Sequence, residues 1–548
     1  MAKDWSAKDR AAALAKAERD GIDVLVIGGG ITGAGVLRDA AVRGMNVLLV
    51  ERGDFASGTS SSSSKLVHGG LRYIAQKQFG VVRESCQERD LLLKNNPNLI
   101  RPLPMMLPAH EGSKAPLWQL RAAMWIYSAL ANFRASTRFK ILKPKEALKH
   151  CPDLKADKLK GAALYHDGQA DDARLVLETI KSARDKGGEA VNYTEAVSFE
   201  HDEKGKISAV TIRDMLDGKV YTLHPTVVIN AAGPAVERIR NMDQPVASPE
   251  VVAAKGVHIV IPSGRIKSDV CVNYETDDGR YIFMIPWGDV TIIGTTDTFS
   301  KEIDDPVVHA KDVDYILSAT NKAFPSAHLT TNDICSVFAG VRPLVAEKGE
   351  QNKKPDEISR EHRIWEDASG LISVAGGKLT TFRTMGQEVM KKALSRFPKK
   401  FRKKLKPVNT KDMPLRQDNF KAPELEKSLC EKFNLAAKSA RHLVKNYGAD
   451  ALEIMNAAQP DERQSIGNSY FTYAEIPWVM QHEAATNLTD ILERRMRMAI
   501  LAQDRGVPEI KKIAEVAGRA AGWDEARIKK EEEGYLARIK KRYTIQPD

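Results

Sequence analysis

Residues 24–51 read VLVIGGGITGAGVLRDAAVRGMNVLLVE, and their reading decides the fold. An apolar run of strand length, VLVI at 24–27, leads into glycines at 28, 29, 30, 33 and 35. Gly28, Gly30 and Gly33 satisfy G-x-G-x-x-G. The first permits a tight turn, the second lets the backbone approach a pyrophosphate, and the third lets helix and strand pack closely. Free N–H groups of a helix opening at Ile31 and Thr32 attract that anion. A second apolar run, 47–50, ends in Glu51 and Arg52, and a carboxylate at Glu51 is placed to accept hydrogen bonds from both ribose hydroxyls of an adenosine. An acid there argues against a 2′-phosphate, hence against NADP. A lone glycine fingerprint is weak, because a structural turn without a ligand has the same letters. Here strand, helix and acid agree with it, and the unit reads as dinucleotide-binding.

The next segment, 57–73, reads SGTSSSSSKLVHGGLRY. Its composition alone suits a flexible linker. A linker, however, seldom ends in a string mixing apolar, aromatic and basic side chains. The segment resembles the loop of the FAD-dependent glycerol-3-phosphate dehydrogenases, the aerobic, quinone-linked family, in which a serine-rich stretch before S-K-L-hydrophobic-H-G-G-L-R-Y lies beside the flavin. The resemblance assigns Thr59, Ser60, Ser63, Ser64, Lys65, Leu66, His68, Gly69 and Gly70 to the cofactor. Further motifs follow in the family's order: VVINAAGP at 227–234, IIGTTD at 292–297, FAGVRPL at 338–344 and ISVAGGKLTTF at 372–382. Small residues such as Ala232 and Gly233 let a backbone pass close to a cofactor. In flavoproteins of this type the last motif, with Gly377, Lys378, Leu379 and Thr380, closes over the isoalloxazine ring. The likeness spans about residues 20–395 and is looser beyond.

It implies an α/β chain with a Rossmann-like FAD-binding domain of the glutathione-reductase/D-amino-acid-oxidase type, an antiparallel β substrate lobe and a C-terminal α-helical domain. The length of 548 residues exceeds what one hydrophobic core usually serves and predicts two or three domains. Because the cofactor motifs are far apart yet share one ligand, the FAD domain is discontinuous, expected at 20–98, 160–245 and 335–398. The substrate lobe is expected at 99–159 and 246–334, where VHIVI, YIFMI and VTIIGTT read as antiparallel strands. Residues 408–548 read as a separate helical domain, with helices over 482–503 and 510–517.

Cys86, Cys151, Cys271, Cys335 and Cys430 are odd in number, scattered and free of C-x-x-C, which favours a reducing compartment without disulfides or a metal site. No stretch reaches eighteen uninterrupted apolar residues, and the N-terminus lacks an apolar signal core, so a cytoplasmic protein is expected, beginning with an alanine-rich surface helix. A formal charge of +11 is compatible with a solvated basic surface. Part of it clusters in FPKKFRKKLKP at 397–407, and PLWQLRAAMWIYSALANF at 116–133 is apolar and aromatic. These read either as a linker and a buried helix or as contacts to an anionic membrane, with lysine attraction of about 1 kcal/mol per charge. The resemblance favours the second, a peripheral enzyme on the inner face of the cytoplasmic membrane passing electrons to quinone, and suggests a homodimer. No nucleic-acid recognition motif accompanies the charge.

The implied substrate, glycerol 3-phosphate, is a secondary alcohol carrying a phosphate dianion. Its oxidation to dihydroxyacetone phosphate takes a C2 hydride to flavin N5 and a proton from the hydroxyl. Cations and a base are needed. Arg72, Arg342 and Lys378 lie in glycine-flanked motifs expected to face the cofactor, and guanidinium forks suit phosphate. Lys378 is also placed to hold developing negative charge on the reduced ring. Thr295, Thr296 and Tyr73 offer hydroxyls, with β-branched packing the alternative for the threonines. His258, alternating out of KGVHIVI, suits a general base, against the alternative of a core histidine bonded to backbone. The resemblance places His68 nearer the flavin than the alcohol, and a non-covalent FAD is expected. An oxygen-using oxidase, a flavin oxidase of an amine or 2-hydroxy acid, and a catalytically silent flavoprotein are the competing readings. Family oxidases typically carry an insertion that this chain lacks.

Overall fold

A computed structural model describes residues 4–133, 138–245, 251–346, 355, 358–417 and 419–548, and at Arg72 the backbone alone. The 24–51 stretch forms the expected unit: a strand at Ile22–Ile27, a helix at Ile31–Val42 and a strand at Val47–Val50. These strands are all but fully buried on both faces, which is why they read as unbroken apolar runs rather than alternating ones. Around them lies a six-stranded sheet in the order His362–Glu366, Ile372–Gly376, Pro225–Asn230, Ile22–Ile27, Val47–Val50, Glu189–Val191. All neighbours are parallel except the first pair. Helices Asp172–Arg184 and Phe382–Ala393 pack on either side of Ile31–Val42. Strands from sequence-distant segments thus share one sheet.

A second, ten-membered antiparallel-rich sheet forms the other lobe. Val251–Pro262 is its spine, pairing antiparallel with Val290–Gly294 and along its length with Ser336–Val345. The boundaries expected at 159 and 334 fall short, because Leu159–Ala170 and Ser336–Val345 are strands of this sheet. Hydrogen-bond pairing, which apolar spacing does not report, assigns them there.

The C-terminal region is helical, with Ala422–Phe433, Ala437–Tyr447, Asp450–Ala457, Glu475–His482, Ile510–Ala521 and Glu525–Arg542. The helix expected over 482–503 is broken. A π-helical turn at Asp490–Arg495 and a short helix at Met498–Leu501 stand in its place, separated by Arg497 in the left-handed conformation. The N-terminal helix, Arg10–Asp20, is not a surface appendage. Leu14 and Ala17 are buried, Arg10 pairs with Asp214 inside the fold, and the preceding Trp5 packs against Phe55 at 5.1 Å. No helix among the described residues is long and apolar enough to cross a membrane.

Candidate active site

The glycine turn and the strand end at Ala231 meet so closely that a Cβ on Gly28, whose φ is +114°, would lie 2.6 Å from the Ala231 carbonyl oxygen. Gly33 packs onto the Gly28 carbonyl, the close helix–strand approach expected of it. Glu51 closes the end of the turn: Gly29 N–H donates to its Oε2 at 2.6 Å and Gly53 N–H to its Oε1 at 2.8 Å. Burial pushes this carboxyl up, while the two N–H donors oppose that.

These elements line a cavity of about 420 Å³. Gly28, Gly30, Ile31, Thr32, Glu51 and Arg52 form one wall, Ala232 and Gly233 another, and Thr59, Ser60 and Ser63 a third. Ser60 also accepts a hydrogen bond from the Ile31 N–H at 3.0 Å, joining serine loop to helix start. A long groove with a glycine floor, helix-start amides and a carboxylate at the strand end fits the adenosine and pyrophosphate of FAD.

Gly376 and Gly377, with φ of +78° and +80°, turn the chain so that Gly377, Lys378 and Leu379 line both this cavity and a second, adjoining one of about 250 Å³. Ser64, Leu66, His68, Gly70, Tyr73, His258, Thr295, Arg342 and Thr380 also face the second cavity. The three sequence-distant motifs therefore converge. Lys378 Nζ donates to Ser85 Oγ at 2.9 Å and to the His68 carbonyl at 3.2 Å, and lies 4.9 Å above the Tyr73 ring. It ties the flavin loop to the double-glycine turn.

Four assigned residues buttress the cavities without lining them. Lys65 is buried and spans to Asp172 at 2.9 Å; burial and then Arg497 lower its pKa to about 8. Thr296 turns inward, accepting the Val257 N–H at 3.0 Å. Gly69 and Gly33 serve backbone packing, Gly69 lying where any side chain would strike Tyr127 and Cys86. The Arg72 side chain lies outside the described residues.

The charged end of the second cavity holds more than the sequence motifs suggested. Asp297, last residue of IIGTTD, bridges two guanidinium groups: Arg342 Nη1 at 3.1 Å from Oδ1 and Arg360 Nη2 at 3.1 Å from Oδ2. Arg342 Nη2 donates to Thr295 Oγ1 at 3.0 Å. Arg360 is buried, and its Nε has no partner among the described residues, a donor suited to an anion. Arg280 reaches the same cavity, paired with Asp278 at 2.7 Å. Sequence reasoning missed Arg360, which follows the polar tract EQNKKPDEIS with no glycine or strand signal beside it.

His258 is buried, stacked on Phe338 at 4.6 Å, and its Nε2 shares a hydrogen bond with Ser64 Oγ at 2.8 Å. Its Nδ1 has no partner among the described residues. Burial, then the charges of Arg342 and Lys65, hold the imidazole well below its ordinary pKa. It is neutral, the state a proton acceptor needs.

Comparison with known proteins agrees with this geometry. A family described as FAD dependent oxidoreductase matches residues 23–387, and the C-terminal domain of alpha-glycerophosphate oxidase matches 408–528. The aerobic glycerol-3-phosphate dehydrogenase of Staphylococcus aureus is 39% identical over 485 residues, 87% of this chain and 86% of that enzyme. The glycerol-3-phosphate dehydrogenase from Bacillus halodurans, solved complexed with FAD, superposes with a TM-score of 0.80 at 31% identity over 98% of both chains. The L-alpha-glycerophosphate oxidase from Mycoplasma pneumoniae, solved with FAD bound, shares the fold over 72% of this chain and 98% of its own, with a TM-score of 0.56 at 16% identity. With a glycine cradle shaped for a dinucleotide, two adjoining cavities and relatives that span nearly its whole length, the chain is an FAD-dependent oxidoreductase and belongs to the glycerol-3-phosphate dehydrogenase family.

Proposed function

We propose that the enzyme oxidises sn-glycerol 3-phosphate at C2 to dihydroxyacetone phosphate and passes the electrons to a membrane quinone. The observation that carries the substrate is the Arg342–Asp297–Arg360 bridge, two guanidinium forks held by one carboxylate at the end of the second cavity. Two cations against one anion leave a net positive site that favours a dianion, whereas a single arginine suffices for a carboxylate. When bound, FAD supplies the two-electron acceptor that takes the C2 hydride at N5. Arg342 and Arg360 hold the phosphate and so fix C2; Thr295 and Tyr73 offer hydroxyls to the glycerol part. His258, neutral and behind Ser64, accepts the hydroxyl proton as the hydride leaves. The Lys378 ammonium beside the flavin loop stabilises negative charge that develops there. We place His68, edge-on to Phe283 at 6.4 Å, on the flavin side and read the FAD as non-covalently held.

Membrane attachment rests on the Leu117–Leu130 helix. Its inner face buries Leu120, Met124 and Tyr127, while Trp118 and Trp125 are 70% and 58% exposed and the nearby Phe133 61%. Such a set of bare aromatics suits the interface of a bilayer. The lysine run contributes charge only. Phe397 is buried and stacks on Phe401 at 4.8 Å, so these rings anchor the run to the FAD domain rather than inserting into lipid.

The test is anaerobic bleaching of the flavin absorption band by glycerol 3-phosphate, with glycerol, lactate and glycine as controls. Bleaching by the phosphate alone is expected. Bleaching by lactate or glycine instead would overturn the substrate, and rapid peroxide release under air would replace quinone by oxygen.

A further inference from the structure

Residues 490–497, DILERRMR, belong to the C-terminal domain and line neither cavity, yet their three arginines bond to Asp54, Ser61 and Asp172, which stand behind the residues that line the cofactor cavity. Arg495 Nη2 donates to Asp54 Oδ1 at 2.9 Å, and Arg494 Nε donates to Asp54 Oδ2 at 2.5 Å. Asp54 stands three residues after Glu51, in the turn whose next residues are tied to the glycine loop by the Ala56 N–H donating to the Gly29 carbonyl at 3.0 Å. The third, Arg497, donates from Nη2 to the Ser61 carbonyl at 2.8 Å and to Asp172 Oδ1 at 3.1 Å. Asp172 in turn accepts from the Ser63 N–H and hydroxyl, at 2.9 and 2.7 Å. One short segment therefore grips both the ribose turn and the serine loop.

A second grip comes from the last helix. Arg538 lines the cofactor cavity and bridges Glu493 at 2.7 Å to Asp305 at 2.8 Å. The adjacent Asp304 pairs with Arg52 at 2.6 Å and Arg238 at 2.7 Å across the cavity mouth. Arg494, Arg495 and Arg497 are buried, and an isolated buried charge is costly. The cluster is tolerable only while the loops present their acceptors. Loops that surround a dinucleotide are ordered jointly by the ligand and by whatever grips them from behind, and such coupling is reciprocal.

We propose that the C-terminal domain is a cofactor-retention element: FAD binding and ordering of residues 484–501 are thermodynamically linked, through Arg494, Arg495 and Arg497. This rests on the FAD dependence of the chain and is independent of its substrate.

Full-length protein, stripped of flavin and then reloaded, gives the test by hydrogen exchange. Loading is expected to slow exchange of backbone amides in 484–501 by about tenfold, within the usual range of coupling between separate sites. The Ala422–Phe433 and Asp450–Ala457 helices, which line neither cavity, serve as unchanged controls. Protection confined to the glycine and serine loops would overturn the proposal. In parallel, Arg497→Lys is expected to raise the FAD dissociation constant, read from recovered flavin fluorescence, by about 10- to 100-fold. A purely structural arginine would instead lower the melting temperature of both forms and leave the FAD constant unchanged. If Arg497→Lys does not fold, the exchange measurement on the wild-type protein decides alone, with protection of 484–501 expected and its absence overturning the linkage.

Discussion

Replacing Arg360 by glutamine should separate phosphate recognition from the oxidation itself. Arg342, Arg360 and Asp297 together carry one net positive charge; without Arg360 the remaining pair is neutral and Asp297 binds Arg342 alone. An incoming phosphate then loses a guanidinium donor, worth about 1.5–3 kcal/mol for a charge-assisted hydrogen bond. It must also compete with a carboxylate for the surviving fork. A total of about 3 kcal/mol predicts a rise of roughly 150-fold in KM for glycerol 3-phosphate. Asp297→Asn should act in the opposite sense on binding, since it removes the anion that the phosphate displaces, while kcat falls because the forks are no longer held in register. The assay is steady-state reduction of an artificial electron-accepting dye over a range of glycerol 3-phosphate concentrations. Turnover at saturating phosphate substrate should be nearly equal in wild type and Arg360→Gln. A folded, FAD-loaded Arg360→Gln enzyme with wild-type KM for the phosphate would refute the assignment of this end of the cavity.

His258→Asn should lower kcat by about 10²–10⁴, the usual contribution of a positioned base, with little change in KM. Because burial and then Arg342 and Lys65 depress its pKa, the free enzyme's imidazole should remain neutral as pH falls through 6.5 and protonate only well below; NMR titration showing protonation at 6.5 or above would contradict this. Gly28→Ala should yield protein lacking the flavin absorption band, since the new methyl group meets the Ala231 carbonyl. Burial pushes the Glu483 carboxyl up, but Arg174 and Lys181 outweigh it and hold it at about 2, against an ordinary 4.5. Its contribution of about 3 kcal/mol is therefore complete above pH 4.5 and lost as pH falls toward 2, and Glu483→Gln should flatten that slope in urea midpoints measured against pH. Trp118 and Trp125 expose together about 300 Å² of ring surface, worth up to about 7 kcal/mol on insertion, so Trp118→Ala/Trp125→Ala should weaken sedimentation with anionic vesicles at least about a hundredfold. Equal sedimentation of both proteins would remove the membrane role of this helix.

Residues 24–51 were legible because every local preference there agrees with the fold: apolar strands, glycines where a side chain collides, and an acid where the strand ends. The broken helix at 482–503 shows the converse. Its apolar spacing is helical, but Arg494 and Arg495 answer to Asp54, more than four hundred residues earlier in the chain, and the backbone adopts a π-helical turn to reach it. The strands at Leu159–Ala170 and Ser336–Val345 were read with the wrong lobe for a related reason. Their partners are set by hydrogen-bond register with Ile100–His110 and Val251–Pro262, which local pattern does not encode.

The same division runs through the site. Residues that meet the cofactor through backbone and small side chains carry a local signature, because the close approach itself demands glycine; hence Gly28, Gly30 and the 376–377 pair were visible. Residues that act through charge are visible only when they stand inside such a motif, as Arg342 and Lys378 do. Arg360 stands in a polar tract where an arginine is indistinguishable from a solvated surface residue, and the phosphate role proposed for it depends on Asp297, 63 positions away, which fixes its guanidinium beside that of Arg342. Lys65 is the reverse case: the resemblance assigns it to the cofactor, yet its ammonium is buried against Asp172, where it holds the serine loop to the helix that Arg497 also grips. The charged framework of the site is therefore organised by the carboxylates Asp297, Asp172 and Asp54. Each holds arginines or a lysine from distant segments in fixed geometry, and removing Asp297 should loosen the second cavity, whereas removing Asp54 or Asp172 should loosen the turn or the serine loop of the first.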